Sequence, residues 1–156
     1  LMGIYKRKQY KNKNKLLPLN KPAGAQLKMA AFEDTTYRDD PDELNRWGKF
    51  YLPKSVTMQV IGVVEGILSR FEEIVLMICG ENQHVYAYDE EELHLVASSM
   101  KELCDVGIEY PGTTTYYKGQ AFKDMVTIWV VSRTLIRRGR IQLHHFLYNY
   151  KHVPEV

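Results

Sequence analysis

Three things are scarce in this sequence: cysteine, long apolar runs, and acidic residues near the N-terminus. There are two cysteines in 156 residues, Cys79 and Cys104. Both sit in apolar stretches, and a domain of this size needs no disulfide, so both are expected to be free, buried thiols in a reducing compartment. No secretory signal is recognisable at the N-terminus. The longest apolar run, Ile74 to Cys79, is six residues, far short of the roughly 20 that cross a bilayer. A membrane-spanning protein is therefore not expected. The ten glycines are scattered, and neither G-x-G-x-x-G nor G-x-x-x-x-G-K-[ST] occurs, so no phosphate-cradling loop is predicted. There is also no G-x-S-x-G elbow.

Metal and acid–base chemistry are thinly represented as well. No Cys-x-x-Cys or His-x-x-x-His pair occurs, and His144 and His145 are adjacent in a predicted strand. Their side chains point to opposite faces and cannot share an ion. Glu72 and Glu73 are neighbours on a predicted helix, about 100° apart and largely solvent-facing. Asp89 to Glu92 stand at a predicted helix N-terminus, where the macrodipole stabilises negative charge without any catalytic role. The sequence therefore predicts no catalytic residue, no metal site and no cofactor. An enzyme using a carboxylate of Glu72 or Glu73 is the distant third reading.

What is present is a segregated charge pattern. Residues 1–28 hold eight cations (Lys6, Arg7, Lys8, Lys11, Lys13, Lys15, Lys21, Lys28) and no acid. Residues 29–124 hold eight basic and eighteen acidic side chains, a balance of −10, and residues 125–156 return to +4. Like charges so close favour an extended chain, so residues 1–28 read as a flexible basic arm and 29–156 as a single α+β globular domain. Such an arm can meet an anionic leaflet or nucleic-acid phosphates. Tyr5 and Tyr10 interleave with its cations. Leu16, Leu17, Pro18 and Leu19 add an apolar anchor suited to a lipid interface or a groove on a neighbouring subunit.

Hydrophobic periodicity supplies the elements. Asp40 before Pro41 opens a short helical turn through Leu44, with proline at the first helical position. Val56, Met58 and Val60 alternate with Thr57, Gln59 and Ile61, which predicts a strand interrupted upstream by Pro53. From Ile67 to Glu73 the spacing is that of an amphipathic helix, and 74–79 fits either a helix or a buried strand. Val85 to Tyr88 is a predicted strand. Asp89 then reads as a helix cap, with Glu92 closing a capping box and Gly107 ending the helix. A hairpin is predicted over 125–150 around Arg137, Arg138, Gly139 and Arg140. The fold class is α+β: an antiparallel sheet with two or three helices packed on one face, preceded by an extended basic arm.

The stretch Asp40-Pro41-Asp42-Glu43-Leu44-Asn45-Arg46-Trp47-Gly48-Lys49-Phe50-Tyr51, leading to Val56-Thr57-Met58, resembles the start of the folded domain in rhabdovirus matrix proteins. Tyr116-Tyr117-Lys118-Gly119, followed by the predicted strand Val126 to Val131, is a weaker likeness to the same family. The resemblance implies a viral structural protein, intracellular and membrane-associated in the host and lying beneath the envelope in the virion. Its implied partners are an anionic membrane surface, the viral nucleoprotein–RNA complex, and further copies of itself in an open polymeric array. Lys6, Arg7, Lys8, Lys11, Lys13 and Lys15 match that family's membrane- or nucleocapsid-binding arm, and Leu16 to Leu19 fall where a self-association segment would lie. The P-P-x-Y budding motif is missing, and the two similar strands are closer together than in the animal viruses, as suits a plant-infecting or divergent member. The alternative is a nucleic-acid-binding protein whose arm contacts phosphate, with Arg137, Arg138 and Arg140 as a secondary basic patch.

Overall fold

The run Ile74 to Cys79 decides the architecture, because every one of its six side chains is buried. Ile74, Leu76 and Ile78 enter one apolar cluster, while Val75, Met77 and Cys79 enter another. Side chains alternate between the two faces of a strand, so this strand is covered on both sides. The computed structural model describes residues 11–122. Within them the chain forms an antiparallel meander of seven strands in sequential order. These are β1 (Leu16–Pro18), β2 (Gln26–Met29), β3 (Met58–Glu65), β4 (Ile74–Cys79), β5 (Val85–Tyr88), β6 (Glu92–Ala97) and β7 (Thr114–Tyr117). Two helices, α1 (Glu43–Phe50) and α2 (Met100–Asp105), complete the core.

The α+β class and the antiparallel sheet are as the sequence predicts, but the helices do not share a face. Trp47 and Phe50 of α1 pack with Met58, Met77 and Tyr88, whereas Leu103 of α2 packs with Leu27, Leu76 and Val85 on the reverse side. With an apolar side chain at every position of β4, a single layer of helices would leave half of it in water. Each face therefore has its own helix and its own core.

Three further expectations are corrected. Residues 66–73 are an irregular connection and not a helix, because β3 continues to Glu65 and 74–79 takes the strand alternative. The helix expected from Asp89 to Gly107 is instead β6 followed by the six-residue α2. The true N-cap is Ser99, whose Oγ accepts from Glu102 N at 3.1 Å. Gly107 does lie just past the helix, at φ +105, where an added Cβ would fall 2.3 Å from the Lys21 carbonyl oxygen. The third correction concerns the arm. Leu17 pairs with Leu27, and Leu27 with Val64, so part of the stretch 1–28 belongs to the sheet. The helical turn expected from Pro41 to Leu44 does form, but it starts two residues later, at Glu43, leaves Pro41 outside the helix and extends to Phe50.

Alternation lets β3 serve both cores, with Met58 and Val60 facing one and Ile61 the other, and the bulge between Val60 and Gly62 turns Val64 to the side of Ile61. Gly62 is needed there, since a Cβ would lie 2.3 Å from the Lys28 carbonyl oxygen. Among the described residues no helix is long and apolar enough to cross a membrane.

Both cysteines are free, but only Cys79 is buried; Cys104 is exposed on α2. Burial pushes the Cys79 thiol up, so thiolate forms less readily there. A disulfide-exchange reagent should therefore titrate one thiol quickly in the native protein and the second only on unfolding. Two fast thiols would contradict the packing of Cys79 in the core with Trp47, Met58 and Met77.

The meander gives the molecule two distinct ends. Gln26 pairs with Glu65, and the turns 19–25, 66–73 and 89–91 gather at that end, called here the loop end. At the far end of β2, where Met29 lies across from Gly62 in the middle of β3, Met29 N donates to Lys15 O and Asn14 N to Met29 O, both at 2.9 Å, and there the chain enters β1.

Candidate functional site

Beneath the loop end lies a buried polar cluster built on Asp89, the residue that follows β5. Its Oδ1 accepts from Glu92 N at 2.9 Å and Glu91 N at 3.3 Å. This is the local bonding that a helix N-cap would use, here folded into the turn of a hairpin. Its Oδ2 meets His94 Nε2 at 2.8 Å and accepts from Tyr110 Oη at 2.9 Å. The His94 and Asp89 side chains are only 4% and 6% exposed. Gly112 N donates to His94 Nδ1 at 3.3 Å, which places the imidazole proton on Nε2. Gly112 is suited to that approach, since a Cβ would sit 2.6 Å from the Leu95 carbonyl oxygen.

The electrostatics follow from these contacts. Burial raises the Asp89 carboxyl, but the hydrogen bonds from Glu92 N, Tyr110 and His94 outweigh it and leave the group below its ordinary value. Burial and then the bond to Asp89 push the Tyr110 phenol up to about 12. The His94 and Tyr110 rings stack edge to face at 5.1 Å. An acid, an imidazole and a phenol are thus together, but both ring nitrogens are occupied and the phenol proton is held by the carboxylate. A general base needs a free nitrogen within reach of a substrate. The arrangement works as a clamp joining the β5–β6 turn, β6 and the segment 110–112.

Ser69, on the adjacent connection, opposes the upward shift of the Tyr110 phenol. That connection, residues 66–73, is held along its length. Gly66, at φ +80, lies so close to Gly24 that a Cβ would be 2.4 Å from the Gly24 carbonyl oxygen. Ile67 packs against the core. Ser69 Oγ accepts from Phe71 N at 3.1 Å. Arg70 Nη2 meets Glu91 Oε2 at 2.6 Å while its guanidinium lies 4.7 Å from the Phe71 ring centre. Glu73 Oε1 accepts from Thr36 N at 3.1 Å and Thr36 Oγ1 at 3.2 Å. Leu68, between these anchors, is fully exposed. Glu72, Glu90 and Glu91 are exposed at this end beside the cations Lys21 and Arg70, the last paired with Glu91, and burial pushes the Tyr37 phenol up.

The residues singled out from the sequence lie elsewhere. Lys11, Lys13 and Lys15 are exposed at the far end, where Lys13 Nζ pairs with Asp34 Oδ1 at 2.6 Å. That bond, ahead of the opposing effect of burial, holds the Asp34 carboxyl below its ordinary range. Leu16 and Pro18 are exposed on the edge strand, while Leu17 and Leu19 are partly buried against the core. Glu72 is exposed, and Glu73 is spent on Thr36 rather than paired with it. Lys6, Arg7, Lys8, Arg137, Arg138, Arg140, His144, His145 and the predicted hairpin lie outside the described residues. Among the described residues no group of three or more His, Cys, Asp or Glu side chains could hold a metal ion. Sequence reasoning missed His94, Tyr110 and Leu68. A histidine inside an apolar run, five residues after a turn aspartate, is the signal that could have found the clamp.

The family model described as US22 like matches residues 8–115, well over half of the chain. The chain belongs to the US22-like family. It is 34% identical over 109 residues to the uncharacterized protein 005R of Frog virus 3 (isolate Goorha), covering 69% of this chain and 53% of that protein. It is 27% identical over 118 residues to the uncharacterized gene 87 protein of Gallid herpesvirus 2, covering 74% of this chain and 65% of that one. An uncharacterized protein of Fowlpox virus (strain NVSL) is 29% identical over 75 residues, 48% of this chain and 54% of that protein. The chain thus spans between about half and two-thirds of the length of these relatives. No solved structure matches.

These matches overturn the resemblance to rhabdovirus matrix proteins. Relatives of this US22-like chain come from an iridovirus, a herpesvirus and a poxvirus. The stretch from Asp40 to Tyr51 carried the resemblance through an acidic lead-in and a run of aromatics. In the fold it is a turn and the helix α1, whose aromatics fill a core. The matrix role and the nucleic-acid alternative lose their support together.

Proposed function

We propose that the chain is a non-catalytic protein-binding module that docks through its loop end. The observation that carries this reading is Leu68, fully exposed on a connection whose flanks are anchored at Gly66, Ser69, Arg70 and Glu73. An exposed leucine on a loose loop would cost ordering entropy to bury, and a fixed one costs less. Burying it fully in a partner is worth about 1.5–3 kcal/mol. The surrounding carboxylates favour a partner whose apolar pocket is rimmed by Lys and Arg. A non-catalytic role accords with the clamp, where each acid–base group is already committed to a structural bond.

The test is selection of random displayed peptides on the immobilised chain. Enriched sequences should combine an apolar residue with flanking Lys or Arg, and should bind Leu68→Asp about tenfold or more weakly. The substitution removes no packed side chain, so its thermal unfolding should match the parent within about 0.5 kcal/mol. Peptides that bind the folded variant as tightly as the parent would place the contact surface somewhere else.

A further inference from the structure

We infer that the His94 clamp is an acid-sensitive latch: a proton on Nδ1 releases Gly112 and frees the segment that leads into β7. Hydrogen-bond chemistry at one buried ring carries the inference, which stands apart from the protein-binding reading above.

A neutral imidazole has one donor and one acceptor, and here both are in use. Nε2 donates to Asp89 Oδ2 at 2.8 Å, and Nδ1 accepts from Gly112 N at 3.3 Å. An imidazolium has two donors and no acceptor. On protonation the Nε2 bond survives, but the Nδ1 bond cannot, because two N–H groups would then face each other. The backbone of Gly112 lies hard against this strand: a Cβ there would be 2.6 Å from the Leu95 carbonyl oxygen and 3.2 Å from His94 Cβ. The repulsion is relieved when the segment moves away.

The charges around the ring let the proton arrive. Asp89 stands on the β5–β6 turn, and on β6 itself Glu92 Oε2 lies 3.9 Å from Nε2. Asp89 is held below its ordinary value, so it stays ionised in mild acid. Across the ring is the Tyr110 phenol, pushed up to about 12 by burial and by Asp89, so it stays neutral. Arg70, the cation of the adjacent connection, is paired with Glu91. The strand residues opposite His94, Ala87 on β5 and Thr115 on β7, are uncharged. An imidazolium here has its counter-charge in place, and histidine is the side chain that changes charge between about pH 5 and 8.

The other bonds of this region bound what moves. Ile108 N donates to Lys21 O at 2.8 Å and Glu109 N to Val96 O at 3.0 Å, so the chain stays docked as far as Glu109. Tyr110 keeps its bond to Asp89. Thr114 begins β7, which among the described residues is the last strand of the sheet and pairs on one side only. The freed stretch is 111–113, the tie just upstream of an edge strand. Acid thus loosens one edge of the sheet while both cores stay packed.

The experiment follows ring and backbone together, by NMR on the isotope-labelled full chain from about pH 8 down to about pH 4.5. At the alkaline end Nε2 should carry the proton and Nδ1 none. As pH falls, the Nδ1 signal and the Gly112 amide should shift with one midpoint. Over the same step the protection of the Gly112 amide against hydrogen exchange should fall about tenfold or more. The amides of Leu76 and Met77 in β4 should keep theirs. His94→Gln supplies a carboxamide whose N–H can donate to Asp89 and whose oxygen can accept from Gly112 N at every pH. In that variant, once folded, Gly112 should not titrate. A ring that stays neutral throughout, a Gly112 amide that keeps its protection while the ring titrates, or a folded Gln variant that titrates like the parent would each overturn the inference. Should the variant not fold, the titration of the parent decides.

Discussion

Asp89→Ala is expected to destabilise the protein by about 3–4 kcal/mol, through the donors it would strand and not through the volume it removes. His94 Nε2, Tyr110 Oη and the amides of Glu91 and Glu92 all point at this carboxylate. Among the described residues the only other carboxylate near His94 Nε2 is Glu92 Oε2, 3.9 Å away, and the His94 side chain is 4% exposed. The effect should also depend on pH. The folded-state Asp89 carboxyl lies below its ordinary value, so the stability it contributes is fully present above the unfolded pKa of about 3.9. That stability is lost as pH falls through the folded value. Urea denaturation at pH 7 should therefore show a wide gap between parent and variant, and at pH 3 the gap should narrow. A gap of equal size in acid would mean that the carboxylate's charge is not what holds the clamp.

Trp47→Ala is expected to cost about 3–5 kcal/mol, the range for deleting a buried aromatic side chain. Trp47 is completely buried at the centre of the α1-side core. Its ring meets Phe32 at 6.0 Å, Tyr37 at 5.2 Å and Tyr88 at 5.0 Å, all tilted or edge to face. Gly48 beside it lets the helix approach the 51–57 segment, with Val56 N donating to Gly48 O at 2.9 Å. Losing the ring removes the wedge between α1 and β5 in a helix too short to hold itself. The midpoint of thermal unfolding, followed by circular dichroism because the substitution removes a fluorophore, should fall by about 10–15 °C. A fall of only a few degrees would mean that the aromatics close over the void.

The two misjudged helices show where periodicity fails. Leu93, Val96, Ala97, Met100, Leu103 and Cys104 do recur at helical spacing, and Asp89 does bond the amides two and three residues on. Both signals are also compatible with a hairpin. An aspartate in a turn makes the same bonds as a helix cap, and a six-residue apolar segment buried on both faces has no period to read. Pairing with β5 then settled β6 as a strand, and the chain could turn helical only after Ser99. The run from Ile67 to Glu73 failed for a related reason. Its apolar residues belong to three different environments: Ile67 in a core, Leu68 in water and Phe71 under Arg70.

By itself the sequence determined the α+β class, the strands at Val85 to Tyr88 and around Val60, the stop at Gly107 and the division of charge along the chain. These are local properties: alternation, a residue without a Cβ, and the identity of titratable groups. Only the tertiary structure decided that the sheet is covered on both faces, that Asp89, His94 and Tyr110 converge, and that Leu68 stands exposed at the loop end. Each of those depends on which strand lies beside which, and that choice is made by burial summed over the whole meander, which no window of one sequence contains.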